Sequence, residues 1–138
     1  FILPAPPPLN RSCRGKGIIM ARRRYYNYTG EDGEVPWDVT HVIVDKSVTV
    51  IPEYAFDGHN NIEEVVLHNK VKRIETEAFQ RCRSLRRVIM PGVKVVEEYA
   101  FMNCEALRFV ECDQLKIIGN YAFGGCISLR SINLPSAE

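Results

Sequence analysis

The sequence lacks the features by which membrane-spanning, disulfide-rich and zinc-binding chains are recognised. It contains no run of 18 or more apolar residues, so no segment has the composition of a transmembrane helix. Its first residues, Phe1 to Pro4, lack the basic and apolar regions of a signal peptide. The five cysteines are an odd number and include no C-x-x-C pair, which argues against a closed disulfide framework and against a zinc site of paired cysteines. The remaining composition, 46% hydrophobic and 25% charged, is typical of one globular domain.

Acidic residues are absent from the first 30 positions, which hold six of the 18 basic residues. The rest of the chain therefore has 12 basic and 17 acidic residues, a balance of −5. The prolines Pro4, Pro6, Pro7 and Pro8 favour an extended start. We predict that residues 1–35 are a basic, Pro-rich, disordered tail or an artefact of the gene model, with Met20 as an alternative start.

A repeat of 22 to 23 residues fills most of the remaining chain. The dipeptide Ala-Phe recurs with its phenylalanine at Phe56, Phe79, Phe101 and Phe123, at intervals of 23, 22 and 22 residues. Three residues after each Phe stand His59, Cys82, Cys104 and Cys126, and three further on stand Ile62, Leu85, Leu107 and Leu129. A Val-x-Leu type segment, such as Val88-Ile89-Met90, ends each unit. Units of this size bury their apolar side only by stacking on one another.

The repeat predicts an all-β-leaning solenoid over residues 36–138, with about four repeats, a partial first coil and no C-terminal cap. The Val-x-Leu segments should alternate between inward and outward side chains, giving one short parallel strand per repeat. The Ala-Phe segments should form tight turns or short helical turns on the opposite side. The phenylalanine, cysteine and leucine columns should form a structural core ladder. Trp37 should cover the open end of the first coil, and we expect the natural protein to continue beyond Glu138.

The run from Ile118 to Pro135, IGNYAFGGCISLRSINLP, resembles the BspA-like leucine-rich repeat, whose hallmark is I-G-x-x-A-F-x-x-C-x-S-L-x-x-I-x-L-P. The resemblance covers residues 39–138, and the copy around Phe56 departs from it at His59 and Ile62. It implies a right-handed leucine-rich-repeat coil. It also implies a function in recognition or adhesion, as in surface or secreted microbial proteins of this family, without naming a ligand.

The cysteine column gives no sign of a reactive or metal-binding site. Cys82, Cys104 and Cys126 should lie in a straight ladder along the solenoid, which does not converge on a metal as a tetrahedral site requires. Buried cysteines of this kind act as small apolar side chains. No nucleophile, base and orienting group occur together, so we predict no enzymatic activity, and no metal or cofactor.

The outward positions of the strands are the predicted partner-binding residues on the expected concave face. One column is His41, Glu64, Arg87, Phe109 and Ser131; the next is Ile43, Val66, Ile89, Glu111 and Asn133; a third is Asp45, His68, Pro91, Asp113 and Pro135. Ile43, Val66, Ile89 and Phe109 should form an apolar stripe among charges, as binding sites often do. The alternative is that β-branched residues stand there because they favour strands, or that another segment covers the stripe.

The leading functional hypothesis is a non-catalytic protein–protein interaction module that binds its partner through the concave strands. One alternative is a surface or secreted adhesion protein, which glycans at the sequons of Asn10 or Asn27 would support. Another is nucleic-acid contact by the run Arg22-Arg23-Arg24-Tyr25-Tyr26. The unpaired cysteines and the lack of a visible signal peptide favour the cytoplasm. The cell surface is the alternative if the natural N-terminus is missing.

Overall fold

The computed structural model describes residues 23–30 and 33–132, in which parallel strands stack into two sheets. Sheet A has six strands, each paired in parallel with its neighbours: β1 (Tyr25–Tyr28), β2 (His41–Val44), β4 (Glu64–Val66), β6 (Arg87–Ile89), β8 (Phe109–Glu111) and β10 (Ser131–Ile132). Sheet B has four strands of two residues: β3 (Val50–Ile51), β5 (Arg73–Ile74), β7 (Val95–Val96) and β9 (Ile117–Ile118). From β2 onward the chain visits the two sheets in turn. This arrangement confirms the predicted repeat solenoid.

Sheet B is a second strand per coil, where the sequence predicted one. Its strands include the apolar column of Ile51, Ile74 and Val96, whose side chains are fully buried. Each strand pairs in parallel with the next coil at only two residues. Beyond sheet B the Ala-Phe segments form turns, and none of the described residues lies in a helix long and apolar enough to cross a membrane.

The solenoid also begins earlier than residue 36, because β1 pairs along its whole length with β2. Tyr28 is buried and its ring meets that of Phe56 edge-on, with 4.9 Å between centroids. The backbone nitrogen of Arg24 donates to the Thr40 hydroxyl at 2.7 Å, and the Arg24 guanidinium lies 2.5 Å from the Asp38 carboxylate. Residues 25–28, assigned from composition to the tail, are therefore part of sheet A. Residues 1–22 lie outside the described part of the chain.

The core is a stack of similar layers, one per coil. The rings of Phe56, Phe79 and Phe101 are fully buried and nearly parallel, with centroids 5.1 Å apart, and Phe123 continues the stack at 5.3 Å. Leu85 and Leu107 are fully buried beside them, whereas Leu129 and Phe123, in the last described coil, are half-buried. The phenylalanine and leucine columns therefore lie in the core or pack against it.

Each coil turns through two residues with positive φ, one before the Ala-Phe pair and one before the cysteine column. The first set has φ of 56–61° and the second 60–76°: Tyr54, Glu77, Tyr99 and Tyr121, then Gly58, Arg81, Asn103 and Gly125. Glycine is required for space at Gly92, where a Cβ would lie 2.0 Å from the carbonyl oxygen of Asn69 in the preceding coil. The coils therefore approach each other closely at this turn.

Candidate partner-binding surface

The outer face of sheet A presents the predicted columns in register. The strand pairings align His41 with Glu64, Arg87, Phe109 and Ser131, and align Ile43 with Val66, Ile89 and Glu111. The alternate residues Val42, Val65, Val88 and Val110 are buried, as the period of two requires. Asn133 and Pro135, also predicted for this surface, lie outside the described residues.

An apolar groove runs along the second column. It has a volume of about 610 Å³, and Ile43, Val66 and Ile89 form its floor. Asn27, His68 and Pro91 lie along its sides, and His68 is held by a contact of 2.9 Å from its Nε2 to the Asp45 carbonyl oxygen. Three half-buried aliphatic side chains on neighbouring strands thus form one continuous apolar strip.

A second, more polar pocket of about 330 Å³ lies along the first column. Its lining holds four arginines and two glutamates, together with aromatic and imidazole rings: Arg23, Arg86, Arg87, Arg108, Glu63, Glu64, Tyr25, His41 and Phe109. With His41 neutral, the lining carries two positive charges more than negative ones. Burial lowers the pKa of His41 against the opposing effect of Glu64 and Glu63, which favours this neutral form.

Arg87 connects the two columns. Its guanidinium lies 2.7 Å from the carboxylate of Glu111 and 4.0 Å from that of Glu64. The hydrogen bond that Arg87 donates to Glu111 raises the pKa of Arg87. Because the three side chains are substantially exposed, these pairs fix side-chain position more than they stabilise the fold.

Phe109 does not join the apolar stripe as predicted. Its ring is 46% exposed and lines the arginine-rich pocket, while Glu111 occupies the next place in the column of Ile89. The shift follows from strand alternation, since Phe109 is aligned with Arg87 and lies two residues away from the apolar column. The strip therefore spans three strands instead of four.

Sequence reasoning missed several residues of this surface. Tyr25 and Asn27 extend both columns by one strand, because β1 was not foreseen. Glu63, Arg86 and Arg108 precede strands β4, β6 and β8 and rim the arginine-rich pocket. The recurrence of arginine at 86, 108 and 130, one repeat apart, was the signal that could have indicated them.

The cysteine ladder has a structural use instead of a reactive one. Each Sγ donates a hydrogen bond of 3.1 Å to the phenylalanine carbonyl of the preceding coil: Cys82 to Phe56, Cys104 to Phe79 and Cys126 to Phe101. Its interaction with Cys104 and its burial raise the pKa of Cys126, and burial beside Asp113 raises the pKa of Cys112 to about 11. Both shifts favour the protonated form of Cys112 and Cys126 at neutral pH, which lowers their reactivity. Within residues 23–30 and 33–132 no group of three metal-ligating side chains converges.

Comparison with known proteins agrees with this architecture. The family model for the BspA type leucine rich repeat region matches residues 37–138 in six copies. A leucine-rich repeat protein from Bacteroides ovatus ATCC 8483 is 31% identical with a TM-score of 0.61, over 74% of this chain and 30% of that chain. A leucine rich cell surface protein from Faecalibacterium prausnitzii A2-165 is 18% identical with a TM-score of 0.40, over 94% of this chain and 46% of that chain.

This chain therefore spans less than half the length of either solved structure. No curated protein sequence matches it. The family match covers most of the chain, and the described coils carry the stacked phenylalanines and the cysteine ladder that its repeat specifies. The chain belongs to the BspA-type leucine-rich repeat family.

Proposed function

We propose that this chain is a non-catalytic module that binds a protein partner through the outer face of sheet A. The observation that carries the proposal is the apolar groove of Ile43, Val66 and Ile89, which continues over three strands and has polar side chains on both sides. Protein interfaces commonly have this arrangement, with an apolar centre and a polar rim. Proteins with leucine-rich repeats generally act in protein interactions or at surfaces, which supports the same conclusion.

The chemistry of the described residues supports binding over catalysis. The buried thiols of Cys82 and Cys104 donate to backbone carbonyls, and the rings of His41 and His68 hydrogen-bond to the Thr40 hydroxyl and to the Asp45 carbonyl oxygen. The surface of the groove is mainly apolar, and Ile43, Val66 and Ile89 are part of its lining. A surface of this kind excludes water from a partner's side chains, and among the described residues its lining contains no serine, threonine or cysteine that His68 could activate as a nucleophile.

The test uses two matched valine substitutions. Val66 lies in the groove, whereas Val50 is an outward residue of sheet B and is 38% exposed. Peptides would be selected from a random display library on the full chain, and their Kd measured by fluorescence anisotropy for wild type, Val66→Lys and Val50→Lys. We expect Val66→Lys to weaken binding at least tenfold, about 1.4 kcal/mol, because it places an ammonium group in an apolar site.

Val50→Lys should keep the affinity within about twofold of the wild-type value. This change is well below the tenfold loss, about 1.4 kcal/mol, expected for Val66→Lys. Circular dichroism spectra of both variants should match wild type, since both side chains point away from the core. Equal affinity for all three proteins, or an equal loss in the two variants, would contradict the assignment of sheet A as the binding face.

A further inference from the structure

A row of arginines borders the outer face of sheet A. Arg86, Arg108 and Arg130 each stand immediately before a strand of the sheet and are exposed. The backbone nitrogen of Arg108 donates to the Arg86 carbonyl oxygen at 2.9 Å, and that of Arg130 to the Arg108 carbonyl oxygen at 3.0 Å. The three side chains therefore start about 4.8 Å apart, which is the spacing of neighbouring strands.

Carboxylates neutralise one end of this row and leave the other uncompensated. The Arg86 guanidinium lies 2.5 Å from the carboxylate of Glu63 in the preceding coil. In the preceding coil, the place taken by Glu63 for Arg86 is taken by Arg86 for Arg108 and by Arg108 for Arg130. In the described part of the chain no carboxylate lies within 4.0 Å of Arg108 or Arg130. Like charges in register on neighbouring strands repel one another. Two exposed arginines on neighbouring strands thus form a site for an anion that the described residues do not supply.

The uncompensated charges adjoin the proposed binding face. Arg108 and the exposed ring of Phe109 both line the arginine-rich pocket, whose lining has an excess of two positive charges. Planar guanidinium groups bind carboxylates through paired hydrogen bonds and also stack on rings. Along a strand, the apolar column lies three residues after the arginine row, as Ile89 lies after Arg86. This separation is a distance of about 10 Å.

We propose that the partner segment bound on sheet A is an extended acidic peptide segment. It places a carboxylate between Arg108 and Arg130 and an apolar side chain in the groove of Ile43, Val66 and Ile89. The inference depends on the proposed function and adds the chemistry of the partner. Ile89 lies on β6, about one and a half strands from the midpoint of Arg108 and Arg130, so the segment would cross the strands obliquely over about 12 Å. It would carry its acidic and apolar residues about four positions apart, because each residue spans about 3.3 Å.

The test compares two double substitutions that remove the same charge from consecutive coils. One is Arg108→Ser with Arg130→Ser. The matched control is Lys94→Ser with Lys116→Ser, whose exposed lysines lie one coil apart beside sheet B. A random 12-residue peptide library would be selected on the full chain and on both variants, and the selected peptides sequenced.

We expect peptides selected on wild type and on the lysine variant to be enriched at least threefold in Asp and Glu, with an apolar residue about four positions away. Enrichment should be absent on the arginine variant. One selected acidic peptide should bind that variant at least tenfold more weakly at about 0.15 M salt. Its Kd for the lysine variant should lie within about twofold of its Kd for wild type, whereas a tenfold change would correspond to about 1.4 kcal/mol.

The outcomes separate this inference from the proposed function. Peptides whose binding depends on Val66 but which are not acidic, or bind the arginine variant equally well, would overturn only the inference. Peptides whose binding is independent of Val66 would overturn both. A 12-nucleotide oligo-dT would be tested in parallel. If it binds more tightly than the peptides and is lost in the arginine variant, the anion site belongs to a nucleic acid, and the peptide assignment is wrong.

Discussion

The interior of the solenoid repeats nearly the same residues in each coil, with His59 in place of cysteine in the first, whereas the outer face of sheet A changes at every strand. Inside, three phenylalanine rings stack at 5.1 Å spacing and three thiols make the same hydrogen bond of 3.1 Å. Outside, one aligned column reads histidine, glutamate, arginine, phenylalanine and serine. The inward and outward positions have the same spacing along the solenoid, but only the inward positions keep the same type of residue from coil to coil.

The difference follows from what identical neighbours do to each other at about 4.8 Å. Stacked rings and aliphatic groups attract, so repetition in the core adds the same favourable contact in each coil. Identical charges repel, so a surface column such as Glu64–Arg87 gains from alternation. Arg108 and Arg130 depart from this alternation, which is why they indicate an external anion.

The largest expected effect comes from removing one ring of the core stack. Phe79→Ala should lower the free energy of unfolding by about 3–5 kcal/mol, because the ring is fully buried between Phe56 and Phe101. Phe109→Ala is the matched surface control and should cost under about 1 kcal/mol, as the ring is half exposed. Urea unfolding followed by circular dichroism measures both. Similar losses in the two variants would show that the interior stack is not the main source of stability.

The repeat made the interior predictable because each core column is seen four times in the sequence. The agreement of Phe56, Phe79, Phe101 and Phe123 at one spacing determined both the fold and the direction of each side chain. The outward columns followed by alternation, and the register of His41 with Glu64 and Arg87 is as predicted.

Features that occur once, or that depend on pairing between segments, could not be read in this way. The strand Tyr25–Tyr28 lies before the first complete repeat and has no second copy, so its pairing with β2 left no pattern in the sequence. The two-residue strands of sheet B are too short to show a period. The volumes of the two pockets depend on side-chain conformations, which spacing does not determine.

A smaller effect should come from the thiol ladder. Cys104→Ala removes a fully buried side chain whose Sγ donates to the Phe79 carbonyl oxygen at 3.1 Å. We expect a loss of about 1–2 kcal/mol in the free energy of unfolding, from lost apolar contact and a weak hydrogen bond. Cys104→Ser keeps a donor at that position and should cost no more than the alanine variant. A serine variant clearly less stable than alanine would mean that the thiol acts only as an apolar filler.

The first coil differs from the others because His59 occupies the cysteine column. Its ring is buried and stacks on Trp37, with 4.1 Å between centroids and an angle of 10°. Trp37 in turn donates from its indole nitrogen to Glu34 at 3.0 Å, and its carbonyl oxygen accepts from Asn61 at 2.8 Å. The predicted cover of the first coil by Trp37 therefore takes the form of a stack on His59.

The smallest expected effect is a pH dependence at this stack. Burial lowers the pKa of His59, against the opposing charges of Asp57 and Glu34, and its Nδ1 is buried with no hydrogen-bond partner among the described residues. Because the unfolded chain binds the proton more readily, this contribution to stability is complete above pH about 6.5 and is lost as the pH falls toward the lowered value. His41 titrates in the same direction, so the comparison is wild type against His59→Cys, which restores the residue of the other coils.

Between pH 7 and pH 5 the urea midpoint of wild type should fall further than that of His59→Cys. The emission of Trp37, the single tryptophan, should change at lower pH, as the lowered pKa of His59 is passed, and only in wild type, because a charged imidazole would then stand against the indole. Parallel falls in the two proteins would assign the pH dependence to His41 and the carboxylates, and would leave His59 as an apolar substitute for cysteine.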